Sequence, residues 1–181
     1  MSLKAVVAAL LFAGILFAGS EPVVSISALK AVEEITNKQF LPVAEIDPWD
    51  PLGDARGTYL PGYGALFTFE LSLTNVTPPF PFHPEISPAE IKDIHARKLK
   101  KLPLLKSAMR DLIVKAASSL ITLPPTEQIT FEAFLDSFSF EDRTGLPRRL
   151  TMTASRQKIL DAVARHATAD DLAALIEIRE E

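Results

Sequence analysis

Apolar residues recur along this chain with three different periods, and each period predicts a different element. From Ala5 to Ala18 the run is almost unbroken; Lys4 precedes it and the small residues Ala18, Gly19 and Ser20 close it. A basic start, about 14 apolar residues and a small-residue exit predict a secretory signal peptide over 1–20, cleaved after Ser20. A membrane span needs about 20 apolar residues, so this run is short for one, and an uncleaved N-terminal anchor is the alternative reading. Leu29, Val32 and Ile35 then recur at helical spacing and predict an amphipathic helix over 28–37. Pro42, Pro48, Pro51 and Gly53 break any regular element between 41 and 57. The strongest strand signal follows: Phe67, Phe69, Leu71 and Leu73 alternate with Thr68, Glu70, Ser72 and Thr74. Pro61-Gly62 suits the centre of a type II turn, which folds 57–60 back as a partner strand.

Prolines at 78, 79, 81 and 84 remove backbone donors, so that stretch predicts neither helix nor central strand. Ser87, Pro88 and Glu90 then read as N-cap, first helical residue and capping-box partner. Leu102, Leu105, Met109, Leu112, Ile113, Ala116 and Leu120 form one stripe of a long helix ended by Pro124-Pro125. His95 and Lys98 interrupt the stripe upstream, and Pro103 predicts a kink or a junction of two helices. Ile129, Phe131, Ala133 and Leu135 pair by pattern with Leu150, Met152 and Ala154 as an antiparallel hairpin. The phase slip at Phe138 and Phe140 predicts a bulge or the end of pairing. Helical spacing returns at Ile159, Leu160 and Val163, and Thr168 with Asp171 makes a second capping box before Leu172, Leu175 and Ile176. Separate hairpins imply antiparallel pairing. The expected fold is α+β: an antiparallel sheet of about four strands under a long basic helix, with short N- and C-terminal helices. The expected organisation is signal peptide 1–20, helix and proline-rich loop 21–56, and one α+β domain 57–181.

Composition narrows the function classes. The chain has no cysteine, which excludes a lipid-anchored lipoprotein, a thiolate metal site, a catalytic thiol and disulfide staples. Cleavage removes Lys4, leaving 18 basic and 23 acidic residues, a net charge of −5. That balance favours solubility, argues against nucleic-acid binding and leaves no second apolar run to span a membrane. The segment from Ala89 to Leu123 runs the other way: eight basic and three acidic residues give it net +5. Such segregation suits an anionic envelope component or an envelope protein as partner, although a solvated outer helix face explains the same charges.

The run from Arg56 through Tyr59-Leu60-Pro61-Gly62-Tyr63-Gly64 to Phe67, the Pro/Phe loop, the basic helix and Pro147-Arg148-Arg149-Leu150 together resemble exported bacterial proteins of unassigned function. The resemblance implies export, to the periplasm or the extracellular space, and implies no site.

Candidate chemistry is sparse. Arg56, Tyr59 and Tyr63 around the turn, with Phe80, Phe82 and His83 of the proline loop, are the candidate binding residues. Packing of the tyrosines on the hairpin, with Gly62 and Gly64 permitting the turn, is the favoured reading of the first three. Asp47, Asp50 and Asp54 lack the spacing of an EF-hand loop, and turn initiation and solvation explain them more simply than metal binding does. No histidine pair stands at i, i+4 and no nucleophile elbow occurs, so neither a cofactor nor a metal is expected. The favoured expectation is a non-catalytic binding or envelope-associated protein. The alternatives are a small hydrolase or metal-assisted enzyme that joins His83 to Asp47, Asp50 and Asp54, and a structural or assembly protein.

Overall fold

The computed structural model describes residues 24–40, 49–77 and 86–181. The first helix, α1 (Ile26–Phe40), buries Leu29, Val32, Thr36 and Phe40 on one side, the stripe expected from its spacing. Two short strands follow, β1 (Asp50–Pro51) and β2 (Arg56–Leu60), and both pair antiparallel with β3 (Gly64–Ser72). Helix α2 (Pro88–Ser119) crosses the sheet to β4 (Gln128–Leu135), and β5 (Arg149–Ser155) returns antiparallel. Two short helices, α3 (Arg156–Ala164) and α4 (Ala169–Ala174), lead to β6 (Glu177–Glu180), antiparallel to β5.

The class is α+β, but the sheet has six strands and is mixed. The path runs β1, β3, β4, β5, β6, with β2 also on β3. Strands β3 and β4 are parallel over Gly64–Leu71 and Gln128–Leu135, which corrects the all-antiparallel expectation. The cause is α2: a long crossover carries the chain back to the start of the sheet, so the inner strands of two hairpins meet in the same direction. Strand β6 was also unforeseen, because Leu172, Leu175 and Ile176 carry a helical spacing to the last apolar residues before it.

Local signals at the ends of α2 hold. Ser87 Oγ accepts from Glu90 N at 3.2 Å while Ser87 N donates to Glu90 Oε2 at 2.8 Å, a complete capping box. The helix continues through Pro103 as a single element. Its far end is closed by Arg156, whose Nε and Nη1 donate to the carbonyls of Ala117 (3.1 Å) and Leu123 (3.0 Å). The Ala117 carbonyl belongs to the last turn, where the helix dipole favours a basic side chain, and Leu123 lies in the segment that follows.

Alternation decides which face of the sheet is dry. Phe67, Phe131, Met152 and Ile178 stand in one cross-strand row, and Phe67 and Phe131 stack with centroids 5.0 Å apart. This row lies beneath Leu105, Met109, Leu112 and Ile113 of α2 and beside Leu29 and Val32 of α1 in one core. The opposite face presents Thr68, Glu132 and Thr151 in register, with Arg149 bridging to Glu132 at 3.2 Å. No described helix is long and apolar enough to cross a membrane.

Candidate functional site

The tyrosine turn is tied down by the fold. Gly62 and Gly64 have φ of 80° and 141°, and a Cβ on Gly64 would lie 1.9 Å from the Gln128 carbonyl oxygen. Only glycine admits both that φ and the close approach of β4. Tyr59 packs against the core, and its hydroxyl donates to Glu127 Oε1 at 3.2 Å; Gly62 N donates to the same oxygen at 2.9 Å. The Tyr63 hydroxyl shares a hydrogen bond with Thr130 Oγ1 at 3.1 Å, which in turn lies 3.0 Å from Thr153 Oγ1. Arg56 is exposed opposite Thr68. An odd separation along a strand points Arg56 and Tyr59 to opposite faces. The sheet therefore separates Tyr59 from Arg56 and Tyr63 instead of gathering the three in one groove. Phe80, Phe82, His83 and Asp47 lie outside the described residues.

A cleft of about 220 Å³ opens at the sheet edge beside α1. It exists because β1 pairs with Leu71 and Ser72 whereas β2 pairs with Gly64–Thr68. Leu52 N donates to the Glu70 carbonyl at 3.0 Å, and Gly53 and Asp54 of the same link form one wall. The floor is apolar: Phe40 and Phe69 stack at 4.9 Å, and Leu71 and Pro51 complete it. The rim is polar, with Asn37 and Asp54, while Glu70, next to Phe69 on β3, turns its side chain to the opposite face of the sheet. Asn37 fixes one wall: its Nδ2 donates to Asp54 Oδ1 at 3.4 Å, and its Oδ1 accepts from Ala55 N at 2.8 Å. Outside the floor, Trp49 meets Phe40 edge-on at 5.8 Å, and Lys101 Nζ stands 5.0 Å over the Trp49 ring. Asp50, in β1 opposite Ser72, is not among the residues that line the cleft. Asp54 was visible in the sequence as an acidic loop residue. Asn37 was not, because nothing in a helix C-terminus announces which loop it will hold.

The cations of α2 are largely engaged within the molecule. Lys98 is buried in an ion pair with Glu141 and donates to the Asp136 carbonyl at 3.3 Å. Lys106 meets Glu180 at 2.6 Å, Lys115 donates to Gln39 at 2.9 Å, and Arg97 holds Asp93 at 2.9 Å. Lys92 and Lys100 face solvent. His95 sits against the β4–β5 connection, with Nε2 at 2.7 Å from the Thr144 carbonyl and Nδ1 at 3.7 Å from Asp142. Hydrogen bonds from the Thr144 backbone and hydroxyl hold the Asp142 carboxyl below its ordinary range. Among the described residues no three histidines or carboxylates group as a metal site. Comparison with protein-family models, curated proteins and solved structures finds no match to this chain.

Proposed function

We propose that this chain is an exported, non-catalytic binding protein that takes a small ligand in the cleft between α1 and the β1–β3 edge. The observation that carries the reading is the union of an aromatic floor, Phe40 on Phe69, with a rim whose Asp54 is oriented by Asn37. Binding clefts combine apolar walls with a few placed polar groups, and usual volumes for drug-sized ligands are about 300–1,000 Å³. At about 220 Å³ this one suits a compact molecule. An anionic envelope partner, the class expected from the basic helix, would meet Lys92 and Lys100 rather than the cations engaged within the fold.

Gly53 offers a clean test. A Cβ there meets nothing within 4 Å, so Gly53→Phe can place a ring at the cleft mouth without disturbing the core. Amide shifts induced by a mixture of small aromatic fragments should cluster at Thr36, Asn37, Asp54 and Phe69, and Gly53→Phe should abolish them. Shifts confined to other surfaces would overturn the assignment. The export half is read from the N-terminal run. When the full chain is expressed in a bacterial host, mass spectrometry should find a mature species beginning at Glu21 outside the cytoplasm. An intact Met1 product retained in the cytoplasm would refute it.

A further inference from the structure

We infer that a second copy of this chain docks on the free edge of β6, joining the two sheets antiparallel about a two-fold axis at Ile178. The inference is independent of the cleft, which opens beside β1 at the other edge of the sheet.

The backbone of β6 is engaged on one side only. Glu181 N donates to the Arg149 carbonyl and Arg149 N to the Glu181 carbonyl, each at 3.0 Å. Bonded and non-bonded pairs alternate along an antiparallel ladder, so Arg179 and Glu177 also turn their backbone groups to Thr151 and Thr153. Ile178 and Glu180 turn theirs outward, where β6 ends the path of the sheet and no described backbone group meets them. Such an edge is a template for another strand, and charged side chains commonly guard it by repelling a copy of themselves. Here the charges complement one another instead. Outward groups must meet outward groups, so the two-fold axis can stand at Ile178, at Arg179 or at Glu180. An axis at Arg179 or Glu180 sets that residue against its own copy, a like-charge contact. An axis at Ile178 sets Glu177 opposite Arg179 of the second copy on both sides, an attractive cross-strand pair each time. Arg179 and Glu177 already meet within the chain at 2.7 Å, with side-chain exposures of 69% and 60%. In the pair these four charges form a ring of alternating sign. On the helix side Ile178 packs against the core, and Lys106 of α2 holds Glu180 at 2.6 Å, which neutralises the one carboxylate left over. An edge of four residues buries less than the roughly 1,200 Å² of a stable complex, so the association is weak and governed by charge.

Sedimentation equilibrium of the mature chain at pH 7 and low salt reads the association directly. The weight-average mass should climb from monomer toward dimer between about 10 μM and about 1 mM, the range of a weak interface. Salt at about 0.5 M should lower it. Arg179→Glu and Glu177→Arg each turn both cross-strand contacts into like-charge pairs, and each should weaken self-association about tenfold or more. Both side chains are exposed, so the fold is retained. An equimolar mixture of the two variants restores opposite charges at both contacts and should associate about as well as the native chain. The double variant Glu177→Arg with Arg179→Glu should do the same by itself. A native chain still monomeric at the top of the concentration range would overturn the inference. Self-association that survives in either single variant, or that neither the mixture nor the double variant restores, would place the contact elsewhere and overturn it equally.

Discussion

Lys98 illustrates how a single side chain can be visible in a sequence while its role is not. It breaks the apolar stripe of α2, which reads as a helix turning a wet side outward. Instead both charged groups are almost wholly buried, with side-chain exposures of 2% for Lys98 and 1% for Glu141. Glu141 also takes the Phe138 backbone N–H at 3.0 Å, so the pair pins the connection after β4 to the middle of α2. The partner lies 43 positions away, and no local periodicity connects the two. Removing one member of a buried pair strands the other charge, at a cost of about 3–5 kcal/mol, whereas removing both can be nearly neutral. Lys98→Met should therefore lower unfolding free energy in urea by about 3 kcal/mol or more. Lys98→Met combined with Glu141→Gln, which keeps the acceptor for Phe138, should recover much of that loss. A double variant no more stable than Lys98→Met would show that the pair is not what holds this connection. The tyrosine turn carries a related lesson. Gly62 and Tyr59 were legible as turn and packing residues, but Glu127, which receives both, had no signal beyond its place before a strand.

Elements were more legible than their arrangement. Capping boxes at Ser87 and Thr168 were readable because both partners lie three residues apart, and both form as expected. Alternation identified β3, β4 and β5 because each has one dry face. The parallel pairing of β3 with β4 was not legible, since it depends on where α2 lands rather than on either strand. Strand β6 was hidden for a different reason: its four residues, Glu-Ile-Arg-Glu, include one apolar position, too few to show a period. Pro103 is the opposite case, a strong local signal across which the helix is nonetheless continuous. Leu102 and Leu105 are buried on either side of it, and the proline lies on the exposed face, so its ring is turned toward water, and the carbonyl that loses a partner belongs to Leu99 on the same exposed side. A helix interior still gives up a hydrogen bond at proline, a cost of about 3 kcal/mol that the smaller entropy of the unfolded chain partly offsets. Pro103→Ala should then stabilise the protein by about 1 kcal/mol or more, read as a higher urea midpoint with an unchanged slope. A lower midpoint would mean that the proline bends α2 to fit the sheet.

At the scale of the molecule, one core is closed by helices on one face of the sheet, and the other face carries threonines and ion pairs. Stability against acid should accordingly depend on how surface carboxylates are held rather than on loss of the core. Among the described residues two are held below their ordinary range: Asp142 by hydrogen bonds from Thr144, and Asp171 by the hydroxyl and backbone of its N-cap, Thr168. Asp142 ties the loop that His95 contacts, and Asp171 caps the last helix before β6. A carboxyl whose pKa is depressed on folding binds protons more readily in the unfolded chain than in the folded one. Its contribution is therefore complete above the unfolded value of about 3.9, and it is lost as pH falls through that value toward the lower, folded one. Unfolding free energy should stay level from neutrality down to about pH 5 as far as these two groups are concerned, then fall. Asp142→Asn with Asp171→Asn keeps an oxygen at each site but removes the charge that prefers those donors. The double variant should be less stable than the native chain at pH 7, and the gap should narrow steadily as both are taken toward pH 2. Chemical denaturation at half-unit steps measures this directly. Parallel acid limbs for the two proteins would show that acid unfolding is set elsewhere.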